Sequence, residues 1–183
     1  MQAYRAFLKS DRWEEWRHSD TDQKKQVRAP ALEKTCAQDA TLIPLPDPDT
    51  LAVGGMPLAE AIRLRKSERK YTAEVVTLEE LAFFLWATQG VRETGQYSGR
   101  PYVLRTVPSA GARHPFETYL LVHWVEGLAP GLYRYLAMEH KLYLVRPEAD
   151  LVDSVPDRWF LKNCAVVFVW TVVPYRTEWR YSV

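Results

Sequence analysis

Two stretches of the chain carry apolar residues at helical spacing. One begins at Pro57, since proline suits the first helical position, and it spans two to three turns. The other begins at Thr77, with Glu80 three residues later as in a capping box, and Gly90 is predicted to end it in the left-handed conformation. The apolar positions of these helices are Leu58, Ala61, Ile62 and Leu64, and Leu78, Leu81, Leu85 and Trp86.

The second half of the chain carries strand-like patterns. Residues 116–125 are rich in β-branched and aromatic side chains, and residues 132–136 and 141–145 alternate like the two strands of a hairpin. Residues 164–173 are almost continuously apolar, which predicts a central strand buried on both faces. Between these patterns, residues 91–102 are predicted to form a surface loop, and residues 150–160 a helix with a break at Pro156.

Residues 1–50 differ from the rest and are expected to form an N-terminal arm, with a domain over residues 51–183. A short amphipathic helix is predicted over residues 3–16. Prolines at 30, 44, 46 and 48 rule out a long helix and favour an extended segment. Such an arm either wraps its own domain or reaches a partner subunit, and both alternatives stay open at this point.

Composition limits the classes of function. With 183 residues and 47% hydrophobic residues, the chain can bury one sizeable core. A net charge of +1 gives no general attraction to nucleic acid or anionic membranes, and no apolar run reaches the ~18 residues of a membrane span. Cys36, Cys164 and the four histidines lack ligand spacing, so no metal site is expected. A cytoplasmic protein with unreactive thiols is the expectation.

Two polar segments are candidates for function. Residues 65–69 (Arg-Lys-Ser-Glu-Arg) place cations around a hydroxyl, and on a helical turn Arg65 and Arg69 would share a face suited to a phosphate. Residues 105–115 contain Pro108-Ser109-Ala110-Gly111, small residues that let a flat or anionic ligand approach the backbone. A solvated helix end and an ordinary loop are the alternatives. Dinucleotide, P-loop and Gly-x-Ser-x-Gly signatures do not occur.

Taken together, these segments resemble the nitroreductase family of flavin enzymes, and within it the SagB-type dehydrogenase branch. The resemblance rests on four motifs in the family's order: residues 65–71, residues 78–90, residues 105–115 and residues 131–135. It implies an α+β, nitroreductase-like fold with a central, mainly antiparallel sheet flanked by helices. It also implies a homodimer with the flavin site at the subunit interface.

The resemblance further implies the cofactor and the residues that bind it. Arg65, Lys66, Ser67 and Arg69 would grip the phosphate and ribityl chain of FMN, whereas Pro108, Ser109, Ala110 and Gly111 would lie beside the flavin ring. FMN would carry the hydride chemistry in a ping-pong reaction on a small molecule or a peptide azoline, with NAD(P)H as a possible electron donor. No catalytic side chain is assigned.

One departure from the family pattern bears on this expectation. The family continues with a helix and further flavin-contacting elements, whereas the sequence ends at Val183. The expected fold is therefore incomplete at its C-terminus, with only the N-terminal portion of the domain over residues 51–183. The alternative to an oxidoreductase is a truncated, non-catalytic protein that binds flavin or serves as a structural partner.

Overall fold

The structure is a computed structural model that describes residues 14, 17–149 and 159–182. The described residues contain three α-helices and seven strands. The helices are α1 (Leu58–Leu64), α2 (Leu78–Gln89) and α3 (Tyr175–Tyr181). The strands are β1 (Leu42–Pro44), β2 (Val91–Tyr97), β3 (Arg100–Arg105), β4 (Phe116–Val122), β5 (Gly131–Leu136), β6 (Lys141–Pro147) and β7 (Val166–Val172). The predicted helix over residues 3–16 and most of the one over residues 150–160 lie outside the described residues.

Five strands form one sheet in the order β1-β6-β5-β4-β7. Every neighbouring pair in this sheet is antiparallel. The expected α+β fold with a mainly antiparallel sheet is therefore confirmed. The predicted hairpin is also confirmed as β5 and β6, and the strand predicted over residues 116–125 ends at Val122.

Helix α2 packs on one face of this sheet and forms the core with it. The capping box is present, because Glu80 N donates to Thr77 Oγ1 at 3.1 Å and Thr77 N donates to Glu80 Oε2 at 2.9 Å. Leu81 and Leu85 are 0% exposed. Burial of such a side chain stabilises the fold by about 1.5–3 kcal/mol, so α2 is fixed mainly by its apolar face. The sheet residues in the same cluster are Leu120, Val122, Tyr133, Tyr135 and Leu142.

Two predictions around the end of α2 are wrong. Gly90 is extended (φ −60°, ψ 145°) rather than left-handed, because the chain runs directly into β2 at Val91. Glycine is nevertheless needed there, since a Cβ would lie 2.6 Å from the Trp86 carbonyl oxygen. The predicted loop is instead the hairpin β2–β3, whose turn residues Ser98 and Gly99 have φ of 52° and 73°, as tight hairpins require.

Strand β7 is not the central strand that its apolar run predicts. Among the described strands it lies at the edge of the sheet and pairs with β4 alone. Trp170 and Val172 are 45% and 52% exposed. An apolar run indicates that both faces of a strand suit burial. Which strands lie next to it depends on the order of the strands in the sheet.

The described part of the N-terminal arm contacts the chain's own sheet. Strand β1 pairs with β6, and Leu45 N donates to the His140 carbonyl at 3.3 Å. Residues 30–35 cross the end of the sheet where β4 begins and β5 ends, and buried side chains hold their carbonyl groups. Residues 30–45 therefore contact the chain's own domain. In the described residues, no helix has the length and apolarity required to cross a membrane.

Candidate functional site

The small-residue segment between β3 and β4 folds into a strained turn. Residues Ala110–Ala112 form one turn of 3-10 helix, in which Ala112 N donates to the Ser109 carbonyl at 3.0 Å. Gly111, Ala112 and His114 have φ of 57°, 52° and 43°. Each non-glycine residue in this region costs about 1 kcal/mol or more, so the turn persists because its surroundings hold it.

Ser109 and His114 close this turn. Ser109 Oγ accepts a hydrogen bond from the His114 backbone N–H at 2.8 Å. A hydroxyl that accepts in this way still has its own proton to donate. This hydrogen bond comes from the main chain of His114 and not from its imidazole.

Gly111 lies against the C-terminal helix α3. A Cβ at this position would lie 2.5 Å from Arg180 Cδ and 2.7 Å from the Tyr181 hydroxyl. The glycine is therefore required on two grounds, its left-handed backbone and the close approach of α3. Pro108 and Ala110 are exposed, whereas Ser109 and Gly111 are half-buried.

A buried ion triad lies directly behind the turn. Glu117 of β4 accepts from Arg176 Nη2 through Oε1 and from Arg134 Nη2 through Oε2, the latter at 2.9 Å. All three side chains are 2% exposed. Arg176 Nη1 also donates to the His114 carbonyl at 3.2 Å, and its Nε donates to the Ala31 carbonyl at 2.9 Å. The triad thus joins the turn, the sheet and the arm.

Two further arginines complete this buried cluster. Arg113 stacks over the Trp179 ring at 4.8 Å and donates through Nε to the Arg176 carbonyl at 3.1 Å. Arg105, at the end of β3, donates through Nη1 to Gln89 Oε1 at 3.0 Å. Gln89 is itself buried, so its side chain holds Arg105 inside the fold.

Burial is the main cause of the pKa shifts around the turn, and nearby cations add to it at His114. Burial lowers the pKa of Arg105 and Arg113 and raises the pKa of Glu33, whose carboxylate accepts from Ala137 N at 2.7 Å. Burial, followed by the charge of Arg105, lowers the pKa of His114 to about 4. His114 is therefore neutral at pH 7.

The second candidate segment, residues 65–69, is placed differently from the prediction. Helix α1 ends at Leu64, and Arg65 is already extended (φ −56°, ψ 122°), so the proposed helical face shared by Arg65 and Arg69 is wrong. Arg65, Lys66, Ser67 and Arg69 are all exposed, and Lys66 Nζ lies 2.5 Å from Glu68 Oε1. In the described part of the chain, no hydrogen bond or ion pair joins this segment to residues 108–111.

The residues that hold the turn were missed by reasoning from the sequence. Glu117 and Arg134 are single charged residues inside the apolar strands β4 and β5. Opposite charges that interrupt two adjacent strands are a signal of a buried pair, because such residues are almost never buried unless they are paired. Arg176 lies in a segment without a clear sequence pattern, and only the fold brings it to Glu117.

Comparisons with known proteins agree with this architecture. The nitroreductase family profile matches residues 62–182. The chain is 33% identical over 134 residues to "Putative nitroreductase MJ1384" of Methanocaldococcus jannaschii, covering 72% of this chain and 62% of that protein. It is 33% identical over 90 residues to the trifolitoxin-processing protein TfxF of Rhizobium leguminosarum bv. trifolii, covering 49% of this chain and 31% of that protein.

Solved structures give the same result. The crystal structure described as a putative nitroreductase from Ralstonia eutropha has a TM-score of 0.58 and 28% identity, covering 82% of this chain and 65% of that one. The one from Anabaena variabilis has a TM-score of 0.64 and 24% identity, covering 98% of this chain and 33% of that one. The chain thus spans less than two thirds of the length of each of these relatives. By its sequence profile and its fold, this chain belongs to the nitroreductase family.

Proposed function

We propose that the protein is an FMN-dependent oxidoreductase. Members of the nitroreductase family generally use flavin cofactors. The observation that carries the proposal is the strained turn over residues 109–114, because left-handed residues held in place by their surroundings concentrate at ligand sites. This turn coincides with the Pro108-Ser109-Ala110-Gly111 motif, which by resemblance borders a flavin. When bound, FMN would supply hydride transfer in a ping-pong reaction, either by taking a hydride from an azoline or by passing one from NAD(P)H to a small-molecule acceptor.

The chemistry of the two segments fits the two ends of FMN. Arg65 and Arg69 are exposed cations, and among the described residues neither has an ion-pair partner, so their guanidinium groups are available to a phosphate. Ser67 adds a hydroxyl donor between them. At the other end, Ala110 and Gly111 offer backbone with almost no side chain, and Ser109 retains a proton to donate.

We also propose a homodimer with the flavin site between subunits, and the same placement supports it. Within one chain the two segments are not joined, so segments from two copies could complete one site. The apolar residues of α1 support this, since Leu58, Ile62 and Leu64 are 75%, 67% and 59% exposed immediately before Arg65. Exposed apolar patches of this kind mark interaction sites.

The substrate is proposed to be a small molecule or a peptide azoline, as in the SagB-type branch. The azoline is the substrate that the resemblance to the SagB-type branch implies, and one relative is named as a trifolitoxin-processing protein. Oxidation of a thiazoline-bearing peptide by the FMN-loaded protein tests this choice. Reduction of a quinone or nitroaromatic, without turnover of that peptide, would contradict the SagB-type assignment.

Flavin binding is tested by an absorbance spectrum and an FMN titration. We expect purified or reconstituted protein to show the flavin bands and to quench FMN fluorescence. Because a charge-assisted hydrogen bond contributes about 1.5–3 kcal/mol, Arg65→Ala or Arg69→Ala should weaken FMN binding about 10- to 100-fold. Arg146→Ala removes another exposed cation, in β6, and should leave the affinity unchanged. A protein that stays colourless after reconstitution would refute the proposal.

A further inference from the structure

We propose that Arg176 is a positioning residue that fixes the strained turn of residues 109–114 for ligand binding. The inference rests on the proposed function only for the identity of the ligand. Among the described residues, no hydrogen bond joins the Arg176 side chain to Pro108 or Ser109, so Arg176 acts through His114 and Glu117.

The turn needs an external support. Its internal hydrogen bonds are few: Ala112 N to the Ser109 carbonyl at 3.0 Å, Arg113 N to the Ala110 carbonyl at 3.2 Å and His114 N to Ser109 Oγ at 2.8 Å. Against them stand two non-glycine residues with positive φ, Ala112 and His114. Without further contacts, the backbone would relax toward the common regions of φ and ψ.

Arg176 supplies that support with all three of its nitrogens. Nη1 binds the carbonyl of His114, the last strained residue, whereas Nη2 binds Glu117 in β4 and Nε binds the arm at Ala31. The planar guanidinium fixes these three partners relative to one another, which an ammonium group on a flexible stem does not do. The turn is thereby held at a set position relative to the sheet.

Arg134 offers a matched comparison within the same triad. It is as buried as Arg176 and binds the other oxygen of Glu117. Its remaining partners are the carbonyls of Lys34 and Thr35 and the Tyr143 hydroxyl, at 2.5, 3.1 and 3.3 Å. None of these belongs to the turn. Loss of Arg134 should therefore loosen the arm, and loss of Arg176 should loosen the turn as well.

The test compares Arg176→Lys with Arg134→Lys by hydrogen–deuterium exchange of the full chain without ligand. We expect Arg176→Lys to speed exchange in residues 109–115 at least about tenfold, and Arg134→Lys to do so only in residues 30–37. FMN titration of both variants provides the second readout. Only Arg176→Lys should weaken FMN binding by more than its loss of global stability explains.

Each result decides the question. Unchanged exchange in residues 109–115 of Arg176→Lys, or an equal increase in Arg134→Lys, would overturn the proposal. Should Arg176→Lys not fold, Arg176→Gln removes the buried cation while Glu117 keeps Arg134 as its partner. Failure of both to fold would show that Arg176 determines the fold rather than positions the turn. The expected exchange pattern without FMN binding to any variant, including the unchanged protein, would uphold the positioning role and refute the proposed cofactor.

Discussion

His114 makes the stability of this protein depend on pH in a defined window. The residue is 4% exposed, and burial together with the nearby Arg105 lowers the pKa of its imidazole from 6.5 to about 4. Below pH 6.5 the unfolded chain takes up a proton at this residue that the folded chain does not. Because the unfolded state then binds more protons, stability falls as the pH falls from 6.5 toward 4 and is unaffected above that window.

The magnitude follows from the difference between the two pKa values. A shift from 6.5 to about 4, at about 1.4 kcal/mol per unit, corresponds to a loss of roughly 3 kcal/mol when the pH reaches 4. The loss should accumulate at about 1.4 kcal/mol per pH unit within the window. This loss is a large share of the free energy of unfolding of a typical domain, which is about 5–15 kcal/mol.

The assay is urea denaturation at several pH values, for the protein and for His114→Asn. Asparagine cannot be protonated and tolerates the left-handed backbone at this position, where φ is 43°. Burial also lowers the pKa of His140, but both proteins contain His140, so its contribution cancels when their pH dependences are compared. We expect the pH dependence of the variant to be flatter by the contribution of His114. Equal slopes, or an imidazole NMR titration of His114 near 6.5, would refute the reasoning.

Three further predictions concern other parts of the structure. Glu117→Gln leaves Arg134 and Arg176 without their buried counter-charge, so it should lower the free energy of unfolding by about 3–5 kcal/mol. Urea denaturation measures this loss, and a change below about 1 kcal/mol would contradict the prediction. Thr77→Ala removes one half of the capping box and should cost about 1 kcal/mol, measured as a lower Tm, whereas Thr72→Ala, outside any helix, should not. Gly127→Ala should lower the free energy of unfolding by ~1 kcal/mol, and Gly111→Ala should lower it by more, because both glycines have positive φ but only Gly111 is crowded by α3. Equal losses in urea denaturation would show that α3 moves to make room for the added methyl group.

The sequence by itself determined the local elements that short-range chemistry fixes. The capping box at Thr77 and Glu80 needs only neighbouring residues, and it was predicted where it occurs. The hairpin of β5 and β6 was likewise visible in the alternation of its side chains. The order of the motifs in the sequence likewise indicates the nitroreductase family. The hairpin of β2 and β3 is not predicted from the sequence, because most of its side chains are exposed and show no alternation of apolar and polar residues.

Only the tertiary structure decided how distant segments meet. The position of β7 depends on the order of strands in the sheet, which its own composition does not encode. The meeting of Glu117, Arg134 and Arg176 depends on β4, β5 and α3 reaching the same end of that sheet. The strain at Ala112 and His114 is likewise invisible in the sequence, because it exists only where this triad, the arm and α3 together outweigh the local preference of the backbone.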